Sequence, residues 1–264
     1  MAPARRRAAW FGPGLLLALM LSTPGAAAAP GQVGPEAAPP AFSAAYAVRK
    51  AGLTLGRAEL ELRRPAPGRY FYRLHTRPTG LFRLVEPAEV EETSIGRIGP
   101  AGFRPDIYRY RRRGDDKARE AELRFDWNAL EVLNDVADWP WRMAITRDTI
   151  DRVISPLQLM HDMSRQPASR GQLVYRIADG GELRTYVLDI EAEARVTTPL
   201  GTFETLRVRR QDTDSDRETI LWLAPALRYL AVQVEQWEGG SRNFRLLIDA
   251  LDGLAPVPAG GADA

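Results

Sequence analysis

The 264-residue chain has two histidines and no cysteine, so His75 and His161 are the side chains able to shuttle a proton near neutrality without a perturbed environment. His75 alternates with Arg73 and Arg77, and His161 follows Met160. Neither belongs to a metal-ligand spacing, and each reads as a structural or surface residue. A serine nucleophile would need one of these histidines, Lys50 or Lys117 as its base, and no local motif supplies that pairing. G-x-S-x-G, H-E-x-x-H, P-loop and G-x-G-x-x-G patterns are absent after residue 28. Asp212-Thr-Asp214-Ser-Asp216 opens like a calcium loop, but Arg217 takes the glycine position and Leu223 that of the bidentate glutamate, so it reads as an acidic turn. Glu89, Glu91 and Glu92 are carboxylates of the type used in glycoside cleavage, without an identifiable partner. The missing cysteines exclude disulfides, thiolate catalysis, Cys-ligated zinc, iron–sulfur clusters and lipoprotein acylation. No catalytic, cofactor-binding or metal-ligating residue is therefore assigned, and the chain is read as a non-enzyme.

Loop aromatics are the remaining candidates. Thr79-Gly-Leu-Phe-Arg83 presents Leu81 and Phe82, and Asp138-Trp-Pro-Trp-Arg142 presents Trp139 and Trp141 around a proline. Such side chains either plug the end of a curled sheet or line a ligand or partner contact, since they bring large area at low entropic cost.

The elements that would position these groups are mostly strands. Phe42, Ala44, Tyr46 and Val48 share one face; Tyr70, Tyr72 and Leu74 share another; Ala121, Leu123, Phe125 and Trp127 alternate with charges. Between 53 and 63 the apolar phase slips at Gly56, where a β-bulge or a tight bend is expected. Ala178-Asp-Gly-Gly181 separates two alternating runs and marks a hairpin, as do Thr198-Pro-Leu-Gly201 and Gly239-Gly240. Ser155-Pro156, with Leu157, Met160 and Met163 at i, i+3 spacing, predicts a helix over 156–165 with Ser155 as its cap. The expected fold is mainly β: a large curled antiparallel sheet, half-barrel or barrel-like, of about eleven strands, covered by one principal helix.

At the N-terminus, Arg5-Arg6-Arg7, an apolar stretch from Ala8 to Leu21 and Ala26-Ala27-Ala28 form the pattern of a cleavable export signal, with the cut after Ala28. Residues 29–41 read as a Pro/Ala-rich tether, 42–252 as a single β-rich domain and 253–264 as a disordered tail. The whole chain is +2, but residues 1–28 carry three arginines and no acid, leaving 33 basic against 34 acidic groups. A near-neutral surface argues against nucleic-acid binding. The expected location is the periplasm, without a lipid anchor or a transmembrane segment after signal removal.

Several segments resemble an exported bacterial family, domain of unknown function 3108 (DUF3108). They are Tyr46 with Leu53-Thr-Leu-Gly56 and Ala58, Thr79-Gly-Leu81, Glu92-Thr-Ser94, Phe103-Arg-Pro105 with Tyr108, and Phe125-Asp-Trp127. Ile154-Ser-Pro156, Thr198 to Phe203, and Leu221-Trp-Leu-Ala-Pro225 with Tyr229 continue the series. The chain departs from the family pattern at Ala231, where a proline is usual, and around Trp139-Pro-Trp141. The resemblance implies an exported β-rich protein with no assigned activity. A fold-level similarity to the half-barrel of lipoprotein carriers suggests a sheet wrapped around a helix over an apolar cavity. The leading expectation is a non-enzymatic envelope protein binding a lipidic or amphipathic ligand. The alternatives are a structural or interaction protein of the envelope and, further off, a hydrolase of an envelope polymer.

Overall fold

A computed structural model describes residues 38–116, 118–134, 140–168, 170–211 and 216–256. The expected signal peptide, residues 29–37 of the expected tether, residues 257–264 of the expected tail, Lys117, Trp139, Asp212 and Asp214 lie outside the described residues.

The chain first lays down β1 (Phe42–Lys50), β2 (Leu53–Arg63), β3 (Arg69–Pro78), β4 (Glu89–Gly99), β5 (Gly102–Arg113), β6 (Arg119–Asp126), β7 (Glu131–Asn134) and β8 (Trp141–Ala144). It continues with β9 (Thr149–Asp151), α1 (Ser155–Arg165), β10 (Gly171–Asp179), β11 (Glu182–Thr198), β12 (Gly201–Gln211), β13 (Arg217–Ala224), β14 (Leu230–Glu238) and β15 (Ser241–Asp252). Among the described residues the fifteen strands join one sheet in the order β8-β7-β6-β5-β4-β3-β2-β1-β15-β14-β13-β12-β11-β10-β9. Every neighbouring pair is antiparallel except β9 and β10. The sheet curls without closing, with β8 and β9 as its short edges. The indole of Trp141 on β8 packs over the β10–β11 turn, where a Cβ on Gly181 would lie 3.4 Å from the ring.

Fifteen strands replace the expected eleven for a physical reason. On β4 the inward parity runs Val90, Glu92, Ser94, Gly96 and Ile98, so its three central positions are not apolar, while the outward positions include Glu89, Glu91 and Arg97; the apolar alternation is broken. Strands β7, β8 and β9 span three or four residues each, too few to show a period. The expected slip in β2 is present: Val48 pairs with Gly56 but Arg49 with Thr54, leaving Leu55 as the extra residue. Bulges of this kind sharpen twist and help a long sheet to curl.

The two faces differ sharply. Phe42, Ala44, Tyr46, Ala58, Leu62, Tyr70, Tyr72 and their equivalents on later strands are buried inward around α1. Outward, Arg63, Glu61, Arg73, Glu91, Arg111 and Glu120 form a chain of ion pairs crossing β2 to β6. Each exposed pair contributes at most about 1 kcal/mol; together the long arginine stems cover the sheet while keeping charge in water.

Helix α1 lies within the curl. Leu157, Gln158, Leu159, Met160, His161 and Met163 are all buried, so the helix is surrounded rather than laid on a surface. It starts one residue before the expected position and is not capped by Ser155, whose hydroxyl donates instead to the Arg152 carbonyl at 2.9 Å. Asp151 fixes the turn that leads into the helix, its Oδ1 accepting from the N–H of the N-cap residue Ile154 at 2.9 Å. Gln158 ties the helix to the β4–β5 turn: its Oε1 accepts from the Phe103 N–H at 2.8 Å, and its Nε2 donates to the Ala101 carbonyl at 3.1 Å. Gly102, at φ +97°, leaves the space that this amide occupies.

Candidate functional site

Between the inward face of the sheet and α1 lies a cavity of about 270 Å³, near the lower end of the size range of small-molecule sites. Tyr46 of β1, Leu60 of β2, Leu74 of β3, Leu221 of β13, Val234 of β14 and Leu246 of β15 wall it, with Pro156, Leu157 and Met160 of α1 opposite. The phenol of Tyr46 donates to the Ala231 carbonyl at 2.8 Å, and burial pushes its pKa well up, so it is neutral. Two cations reach the cavity, Arg152 and Arg210. Arg152 is neutralised: its guanidinium makes a two-pronged contact with Glu92 at 2.7 and 2.8 Å and lies 3.6 Å from Asp179. Arg210 lies 4.2 Å over the ring of Tyr186 and donates to Thr219 Oγ1 at 3.3 Å.

A buried polar cluster sits beside the cavity where α1 begins. Ser94 donates to Asp151 Oδ2 at 2.5 Å and shares a hydrogen bond with the Tyr70 hydroxyl at 2.9 Å. Burial pushes the Asp151 carboxyl up to about 7, opposed by the bonds from Ser94 and Ile154 and reinforced by the nearby negative charge of Glu92. Glu92 in turn accepts from the Tyr108 hydroxyl at 2.7 Å. Every member has a partner, and the cluster joins β3 and β4 to the start of α1. Among the described residues no group of three or more His, Asp or Glu is placed to hold a metal ion.

Residues 42–246 match the model of a family described as "Protein of unknown function (DUF3108)". The chain belongs to that family. A solved structure, the beta-barrel-like protein of domain of unknown function DUF1849 from Brucella abortus, superposes with a TM-score of 0.52. It covers 81% of this chain and 98% of its own, at 12% identity, a likeness of fold. No curated protein matches the chain.

In this DUF3108 protein, segments that carry the family resemblance meet at the cavity: Tyr46, Ala58, Pro156, Leu221, Leu223 and Tyr229 all line it. The described candidates from single loops, Leu81, Phe82 and Trp141, do not line the cavity. Leu81 and Phe82 belong to a short 3-10 helix, Gly80–Leu84; Leu81 is 83% exposed and Phe82 half-buried, and Leu84 and Val85 extend the exposed apolar patch. Trp141 is half-buried against the core, and Trp139 is outside the described residues.

His75 faces outward, 3.7 Å from Glu89, and His161 is buried in α1 with Nδ1 3.1 Å from Asp162. Glu91 and Glu92 point to opposite faces of β4, which separates two of the three carboxylates. Asp216 is exposed where β13 begins.

Arg210 and Asp151 were missed as candidates, though a sequence signal exists for the first. Leu206, Val208 and Arg210 share one parity, so a charge continues an inward apolar phase.

Proposed function

We propose that this DUF3108 protein is an exported envelope protein that holds a lipidic or otherwise amphipathic ligand between its curled sheet and α1, and that it acts by binding rather than by catalysis. The observation that carries the reading is the cavity: an apolar slot of about 270 Å³ with polar groups at few points, the pattern of sites that bind amphipathic small molecules. The basic, apolar and A-x-A sequence of residues 1–28 supports export to the periplasm. Native mass spectrometry of the protein with dodecanol and dodecanoate is expected to give one-to-one adducts. Leu60→Trp, which places an indole in the slot, is expected to abolish them while the thermal midpoint stays within a few degrees. A cavity that takes up neither probe defeats the reading. Export is tested by N-terminal sequencing after cell fractionation, with a periplasmic chain beginning at Ala29 expected.

A second reading, action through contact with an envelope partner, is favoured by the patch of Leu81, Leu84 and Val85, which are 83%, 82% and 79% exposed. Replacing Leu81 and Leu84 with serine is expected to leave unfolding free energy within about 0.5 kcal/mol and to remove a specific crosslink in cells. An unchanged crosslinking pattern excludes this patch.

A further inference from the structure

We propose that Arg210 is the receptor for an acidic head group, so that the ligand is an anionic amphiphile with a carboxylate or phosphate at one end. This inference rests on the proposed binding role of the cavity and specifies its ligand.

The register of the sheet carries the argument. Arg210 of β12 pairs with Thr219 of β13, and Thr219 with Gln236 of β14, placing guanidinium, hydroxyl and amide in one transverse row. All three line the cavity. Two residues along the same strands, Val208, Leu221, Val234 and Leu246 form the next row of the same face, and Leu206 and Leu223 follow. The wall therefore changes from polar to apolar within one step of the pleat. From the Arg210 row to the Leu206 row is four residues, about 13 Å of strand. A head bound at the first row would run its tail along the others.

The charge state points the same way. Arg207 and Arg209, on the opposite face of β12, both pair with Glu191. Arg152, the other cation of the cavity, is held by Glu92. Among the described residues Arg210 has no carboxylate within ion-pair distance, and its Nε is buried without a hydrogen-bond partner. Among the described residues its side chain meets one hydroxyl and the Tyr186 ring. A ring face attracts a cation but leaves N–H donors unfilled, and a partly buried guanidinium with a buried Nε unpaired and a single neutral acceptor is costly. An oxyanion supplies the missing acceptor through charge-assisted bonds, with the planar geometry that arginine matches.

The test is calorimetric titration of the protein at pH 8 with dodecanoate, dodecyl phosphate, dodecanol and dodecyltrimethylammonium, each below its micelle concentration. At least one anion is expected to bind tenfold or more tightly than dodecanol, and the cation most weakly. The stronger of the two anions identifies the head as carboxylate or phosphate. In Arg210→Gln, with folding verified by circular dichroism, the ratio of anion to dodecanol affinity is expected to fall to about one; Arg210→Lys is expected to restore part of it. Equal binding of anion and dodecanol by the native chain, or an unchanged ratio in Arg210→Gln, overturns the assignment while leaving the cavity a binding site. Failure of all four probes defeats the binding role itself.

Discussion

Replacing Asp151 with asparagine is expected to stabilise the protein at pH 8 by as much as about 4 kcal/mol, and to abolish a loss of stability that the native chain undergoes between pH 4 and pH 7. Asp151 is fully buried, and its pKa is raised from 3.8 to about 7, chiefly by burial. Between these two values the folded chain retains a proton that the unfolded chain has released, so stability falls as pH rises through this window and is level above it. Ionised, the carboxylate holds a charge out of water beside Glu92 without a cation of its own. Asparagine preserves the useful contacts: its oxygen accepts from the Ile154 N–H, and its amide donates to Ser94 Oγ, replacing bonds of 2.9 and 2.5 Å. Near pH 4 the two chains should differ little in stability, because Asp151 is then neutral in the folded state and only about half ionised in the unfolded one. Urea titrations of both chains at pH 4, 5.5, 7 and 8 measure this; parallel pH dependence would show that Asp151 is not the responsible group.

Gly96→Ala is expected to cost about 3 kcal/mol, at the upper end of the usual penalty for overpacking, whereas Gly99→Ala, three residues further along, should change stability by less than about 0.5 kcal/mol. A Cβ at Gly96 would lie 2.2 Å from the Arg104 carbonyl oxygen and 2.9 Å from the Tyr70 ring. The first is backbone at a bulge in the β4–β5 pairing, unable to yield without breaking the ladder. The second is the ring whose hydroxyl bonds Ser94 and, through it, Asp151. Displacing Tyr70 therefore loosens the joint between β3, β4 and the start of α1. At Gly99 an added Cβ meets nothing within 4 Å. Equal losses from the two substitutions in urea unfolding would refute the packing argument.

The β class and the helix were legible because Tyr46, Tyr72, Leu123 and Leu188 fall on single-parity apolar faces, and because Pro156 precedes an i, i+3 series. Strands β4 and β5 were less visible: an inward Glu92 is acceptable only because Arg152, far along the chain, neutralises it. The cavity was an expectation from fold-level similarity alone, and none of its lining residues was legible. Leu60, Leu221 and Leu246 read as ordinary core residues, and only the assembled sheet shows that the space between them is unfilled. Trp141 had two readings in the sequence, plug or contact. It packs against the core and Gly181 and does not line the cavity.

In the sheet order the only neighbours distant in sequence are β1 and β15, joined from Ser43 opposite Asp252 to Arg49 opposite Arg245. The remaining antiparallel pairs can form as local hairpins, in two successive meanders, and this last seam brings the meanders together around α1. It is the pairing with the greatest loop-closure cost and belongs to the slow, late part of assembly. Because the sheet edges β8 and β9 are consecutive in the chain, tethering the two strands of the seam and reopening the backbone between Ile145 and Asp148 would put all fifteen strands in sequential order. Such a circular permutant turns the costliest closure into a hairpin.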